Sequence, residues 1–329
     1  MRIVIVTPAA PGTRLGNRHT ALRWARILRS LGAQVDIATD WADGKHDMMI
    51  ALHARKSRPA MLAFKHHHPA RPLILALTGT DLYRDIRSDV DAAASLDLAD
   101  RLVVLQEAAL AELTPAQRAK ALVMLQSERT RGAWQPPRRF VRFCLLGHLR
   151  QEKDPFRAVH ALRLLGNPSL RLIQAGAALT PEFAGTAHDL MAVEPRYRWL
   201  GDLPHAKALR LLRHSHALIV SSVIEGGAHV VSEAIVHGVP VIAADIPGNR
   251  GLLGDDYPGY FPAGDERALA ALMSEAAGKP IFLERLAQDV SRRRPLFDPA
   301  RETAAWRDLL HGLAAAGDDG LIDRAPGLA

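Results

Sequence analysis

"HALIVSSVIEGGAHVVSEAIVHGVPVIAAD", residues 216–245, holds a whole strand–turn–helix–strand passage. The apolar run Ala217–Val220 ends at Ser221 and Ser222, and Glu225, Gly226 and Gly227 make a turn. A helix follows from about Ala228 to His237, and Gly238, Val239 and Pro240 close it before a second apolar run begins. Neither run alternates with polar residues, so both belong to a parallel sheet covered on its two faces. The unpaired N–H groups that open such a helix favour an anion, and the glycine pair lets backbone approach it closely. Glu225 on the turn and Glu233 nearly two turns into the helix place one carboxylate on each side of that position.

The same rhythm extends in both directions. Upstream, "FVRFCLLG" (140–147), "LRLIQAG" (170–176) and "YRWLGDLP" (197–204) are strands separated by helical stretches. In the first part of the chain "RIVIV" (2–6), "QVDIAT" (34–39), "DMMIALH" (47–53), "PLILALTG" (72–79), "DRLVVLQ" (100–106) and "ALVMLQ" (121–126) form a second series. A polar, Pro-rich break over 127–139 separates the two. The expected architecture is α/β, with two doubly wound Rossmann-like parallel-sheet domains facing across a cleft. Residues 1–137 form the first domain, counting 127–137 as linker, and 138–297 form the second. A terminal helix is expected over 298–316 and a flexible tail over 317–329.

Composition narrows the function. The 329 residues are 48% hydrophobic, enough for two cores, and carry a net charge of +7. Arginine supplies most of that charge, dispersed and without interleaved aromatic residues, so no nucleic-acid stripe is read. Small anionic substrates fit the charge. The single cysteine, Cys144, excludes an internal disulfide and suits a reducing cytoplasm. No apolar run reaches the length of a secretory core or a membrane span, so a soluble cytoplasmic protein without a membrane partner is expected.

Two further stretches carry chemistry. "LGHLRQEKDP" (146–155) brings Gly147, Arg150 and Lys153 onto a loop after a strand, where two cations can neutralise phosphate charge that grows as a bond breaks. "GTRLGNRHT" (12–20) offers Gly12, Arg14, Gly16, Asn17, Arg18 and Thr20 between the first strand and helix.

Together, Glu225 and Glu233 in a Glu-x7-Glu motif, the Arg150/Lys153 pair and "GVPVIA" after the helix resemble the family 4 retaining-type glycosyltransferases of the GT-B fold. The resemblance implies that Glu225 contacts the transferred sugar and Glu233 the ribose of a nucleotide. It implies that Arg150 and Lys153, with Gly147 and the turn Gly226, Gly227, Ala228 and His229, hold the diphosphate. Asp202 and Leu203 then correspond to the base-recognition loop. No metal or other cofactor is expected.

A wider resemblance rests on "NRHTALRWA", "ALHARKS", "LALTGTDLYRD", "GHLRQEKDP", "RYRWLGDLP", "EGGAHVVSEA", "DYPGYFPAGD" and "LFDPARETAAW". These are similar to the selenosugar synthases of selenoneine biosynthesis. That similarity implies a UDP-sugar, typically UDP-N-acetylglucosamine, and selenophosphate as substrates, with other enzymes of that pathway as functional partners. Many family 4 members carry a histidine just before a Gly-Thr-Asp-like segment, and Thr78 stands there instead. A hydroxyl acceptor gains from a general base, whereas a selenium anion is already ionised and needs none. Thr78, Thr80 and Asp81 with the 12–20 loop are therefore the expected acceptor pocket.

Two other readings stay open at this stage: transfer to a hydroxyl acceptor, and a sensor that binds a sugar nucleotide without turnover. Glucose or N-acetylglucosamine as the sugar, and retention or inversion at its anomeric carbon, are equally open. The consecutive histidines 66–68 read as a solvated loop, "DVD" (89–91) as a helix start, and Cys144 as a small core residue. His53, after a strand, reads equally as a site residue or as a core or capping residue.

Overall fold

The computed structural model describes residues 1–322. The chain divides into two compact units. The first comprises Met1–Leu105, Leu110–Gln126 and the chain from Pro299; the second comprises Gln106–Ala109 and Ser127–Asp298.

The first unit contains strands β1 (Arg2–Val6), β2 (Gln34–Ala38), β3 (Met48–Leu52), β4 (Leu73–Leu77), β5 (Arg101–Val104) and β6 (Ala121–Val123). They form one parallel sheet in the order β2-β1-β3-β4-β5-β6. The runs "MMIAL" and "LILAL" are buried at every position because helices cover both faces of these central strands. The order reverses at β1, which lies between β2 and β3. The loops leaving β1, β3 and β4 therefore gather at one sheet edge, the place where doubly wound sheets take ligands.

The second unit contains β7 (Val141–Leu146), β8 (Leu170–Ala175), β9 (Tyr197–Trp199), β10 (Ala217–Val220), β11 (Val241–Ala244) and β12 (Tyr260–Phe261). Its parallel sheet runs β12-β11-β10-β7-β8-β9 and reverses at β7, between β10 and β8. The two-residue β12 is too short for the sequence pattern to announce it. The fold is thus two six-stranded parallel sheets with flanking helices.

The stretch 127–137 lies on the second unit. Arg131 donates its backbone N–H to His237 Nε2 at 3.0 Å, and Trp134 donates its indole N–H to the Ser215 carbonyl at 2.7 Å. The last helix, Pro299–Ile322, runs beyond the expected 316 and returns to the first unit. There Trp306 meets Trp24 edge to face at 5.0 Å, and Trp24 Nε1 donates to the buried carboxylate of Glu302 at 3.0 Å. These indoles sit in one core with Ile3, Ile5, Leu28 and Ile50. Residues 323–329 of the expected tail lie outside the described residues.

The histidines 66–68 are not a loop. His66 and His67 end the helix Arg58–His67, and His68 bonds the Gly44 carbonyl at 2.8 Å. Asp89 caps the helix Val90–Leu98 by accepting from the Ala92 N–H, in keeping with a helix start. Cys144 is fully buried on β7, where burial pushes its thiol up to about 12.

Candidate active site

The chemistry-bearing residues of the second unit stand on the loops that leave two neighbouring strands, β7 and β10. After β7 the chain passes Gly147, turns through a short 3-10 helix at Gln151–Lys153 and takes a left-handed conformation at Asp154. Two bonds fasten this loop to the end of β10: Ser221 Oγ donates to the Asp154 carbonyl at 2.9 Å, and Val223 donates its N–H to the Glu152 carbonyl at 2.9 Å. A Cβ on Gly147 would sit 4.0 Å from Lys153 Cδ and Cε, so the lysine stem lies over that glycine.

Lys153 Nζ donates to Glu225 Oε1, and both side chains are largely buried. The pairing follows from topology. Lys153 and Glu225 are 72 residues apart, yet β7 and β10 are hydrogen-bonded neighbours whose loops emerge together. Glu225 is held from behind as well, since a Cβ on Gly248 would lie 2.0 Å from the Glu225 carbonyl oxygen. The glycine lets the helix Pro247–Leu253 close against this backbone. Arg150, half-buried, extends from the same loop.

The helix His229–His237 begins after Ala228 with no side-chain cap and no acidic residue in its first turn. Neither its N-cap residue nor its first turn supplies a carboxylate to the leading N–H groups. That removes the simplest alternative for the glutamates, an acidic first turn complementing the helix dipole. Neither Gly226 nor Gly227 has a left-handed backbone, so what glycine supplies there is the missing side chain. Glu233, mostly buried, accepts from His205 Nε2 at 2.6 Å. His205 opens the helix His205–Arg213, two residues beyond Leu203 and three beyond the exposed Asp202. Its hydrogen bond to Glu233 raises the imidazole above its ordinary value, outweighing the opposing effect of burial.

In the first unit the expected acceptor residues fall into two groups. Gly12, with φ at +81°, and the exposed Arg14 and Gly16 lie on the loop after β1 or at the start of the helix Gly16–Ser30, followed by the half-buried Asn17 and Arg18. Thr20 is buried and accepts from Gln126 Nε2 at 2.8 Å, which fixes the helix to the end of the sheet. After β4, Thr78 and Thr80 are part-exposed, while Asp81 is wholly buried. The Asp81 carboxylate accepts the N–H groups of Thr78 and Gly79 at 2.9 Å each and of Ala54 at 3.0 Å. Asp81 thereby ties the loop after β3 to the loop after β4.

Residues 126–292, just over half of the chain, match the family described as glycosyl transferases group 1. The chain belongs to that family. Solved structures agree with the fold of this glycosyltransferase at low identity. Sucrose-phosphate synthase of Thermosynechococcus elongatus superposes with a TM-score of 0.75 at 14% identity, over 96% of this chain and 99% of that one. HepE of Anabaena, solved with UDP and glucose, gives a TM-score of 0.75 at 15% identity, over 95% and 100%. A glycosyltransferase of Rickettsia africae gives 0.71 at 13% identity, over 95% and 98%. The two six-stranded sheets of this glycosyltransferase are therefore those of the GT-B fold.

Two histidines stand beside the expected residues without having been singled out for a role. His205 gives no signal in the sequence, because a first-turn histidine on an exposed helix looks like surface. His53 had a signal, its place at the end of a strand, and that signal could not say what the side chain meets.

Proposed function

We propose that this glycosyltransferase transfers a sugar, N-acetylglucosamine, from a UDP-sugar to selenophosphate. Selenium attacks the anomeric carbon and forms the carbon–selenium bond. The bond from that carbon to the β-phosphate oxygen breaks, and UDP leaves with the electron pair. Water then cleaves the selenium–phosphorus bond, releasing phosphate and leaving a selenosugar.

The observation that carries this reading is the Lys153–Glu225 pair at the reversal point of the second sheet. Arg150 and Lys153 neutralise the departing diphosphate together with the uncapped helix start. Glu225 takes a sugar hydroxyl, and Glu233 takes the ribose once His205 yields it. A preorganised cation at a developing phosphate charge needs no reorganisation as the bond breaks, which is where such sites gain most of their rate. UDP as the nucleotide is supported by the UDP-bound HepE structure that shares this fold.

Two features support an ionised, soft acceptor over a hydroxyl. Thr78 stands where the resemblance leads one to expect a histidine. His53, which contacts Thr80, is buried with both ring nitrogens engaged, which does not suit a base that must reach a substrate.

The test is UDP release and product mass with UDP-N-acetylglucosamine and selenophosphate, with thiophosphate and hydroxyl acceptors as controls. UDP release with a selenium-bearing product supports the reading. Release only with a hydroxyl acceptor overturns the acceptor assignment, and binding without release overturns turnover altogether.

A further inference from the structure

His53 carries an unusual set of features for a residue that fills no pocket in the reading above. It is a non-glycine residue with φ at +83°, where a side chain is strained and glycine would be cheap. It is 3% exposed and sits directly after β3, at the edge where the loops of the first sheet gather. The neighbouring turn Asp81–Asp85 is wound as a π-helix. Retaining histidine in a left-handed conformation requires a gain from its side chain.

The ring's surroundings fix its proton. The Lys56 backbone N–H donates to Nδ1 at 3.4 Å, so Nδ1 is the unprotonated nitrogen. Nε2 lies 3.2 Å from Thr80 Oγ1 and 3.8 Å from Asp85 Oδ2, two acceptors, which agrees with a proton on Nε2. Burial favours the neutral ring, against the pull of Asp81 and Asp85 and with the help of Lys56 and Arg55. Thr80 Oγ1 thus accepts a hydrogen bond from His53 Nε2–H and keeps its own hydroxyl proton for another partner. A threonine hydroxyl has one proton to give, and Thr80 is part-exposed, so that proton is open to a partner other than His53.

We infer that His53 is a positioning residue that orients the Thr80 hydroxyl as a hydrogen-bond donor to the anionic oxygens of the acceptor. This rests on the proposed selenophosphate reading and adds which residue of the first unit grips the anion and which residue aims it. Neither contact enters the bond-breaking step, so the effect belongs in acceptor binding.

The experiment measures KM for selenophosphate and kcat at saturating UDP-N-acetylglucosamine in the full chain, for Thr80→Val, His53→Leu, the double variant, His53→Gln and Thr80→Ser. Circular dichroism and thermal melting confirm that each folds. A hydrogen bond to a charged group is worth about 1.5–3 kcal/mol, so Thr80→Val raises KM by about ten-fold or more with kcat little changed. His53→Leu raises KM in the same direction, and adding it to Thr80→Val raises KM no further. Thr80→Ser, which keeps the hydroxyl, and His53→Gln, which keeps an N–H near Nε2, restore most of the affinity. Unchanged KM in folded His53→Leu, or effects that multiply in the double variant, overturns the inference while leaving the selenophosphate reading intact. A wild-type protein that releases no UDP with selenophosphate overturns that reading and this inference with it.

Discussion

Lys153 and Glu225 reach each other from loops on adjacent parallel strands and form an ion pair that water scarcely touches. The two residues expected to meet different parts of one ligand therefore also hold each other. Removing the cation leaves a buried carboxylate without its partner. Lys153→Ala should lower both kcat/KM, by about 2.7–4 kcal/mol of barrier, and stability, by about 1–3 kcal/mol. Steady-state kinetics and urea denaturation check the two parts separately.

Arg150 makes the contrasting case. It extends from the same loop, yet its guanidinium forms no ion pair with a described residue comparable to that of Lys153. Arg150→Ala should cost a similar 10²–10³-fold in kcat, from the same loss of charge stabilisation, with a denaturation midpoint close to wild type. Equal destabilisation by both variants would mean that the pair of cations has a shared structural role.

His205 and Glu233 predict a pH dependence of nucleotide binding. The folded-state value of His205 is raised, chiefly by its bond to Glu233. The pair's contribution is thus fully present below the ordinary imidazole value and is lost as pH rises through the raised one. If Glu233 takes the ribose as proposed, a ribose hydroxyl competes with the imidazolium for it, so UDP binding should strengthen as pH rises through that window. His205→Ala should bind more tightly at low pH and flatten the profile. Calorimetric titration of UDP across the histidine range checks both.

Gly248 tests how tightly Glu225 is held. A methyl group there would fall 2.0 Å from the Glu225 carbonyl oxygen, a distance that backbone cannot absorb without moving. Gly248→Ala should displace the turn and lower kcat by at least about ten-fold, although position 248 bears no functional group. Activity near wild type would show that the Glu225 turn is less constrained than this packing implies.

Both sheets were legible in the sequence because buried parallel strands read as apolar runs, and "MMIAL" and "ALIV" could hardly be anything else. The places of Glu225, Arg150 and Lys153 on loops after strands, and of Glu233 within the following helix, were legible from the apolar runs and the glycines between them. The pairing of Lys153 with Glu225 was not, since it depends on which strands are neighbours in the sheet. His205 gave no signal and His53 only its place after a strand, for a related reason: each ring meets a partner from another element, Glu233 or Thr80, and sequence spacing carries no trace of that encounter. The return of the last helix to the first unit was equally hidden, because the Trp24–Trp306 and Trp24–Glu302 contacts join residues far apart in the chain.

The central claim is that UDP settles on the second unit between these side chains, and a crystal structure of the chain soaked with UDP tests it most directly. The account predicts the diphosphate within hydrogen-bond distance of Arg150 and Lys153 at the start of the helix His229–His237. It also predicts the ribose on Glu233, with His205 moved aside. A nucleotide bound away from these residues, with the Lys153–Glu225 and His205–Glu233 pairs undisturbed, would contradict it.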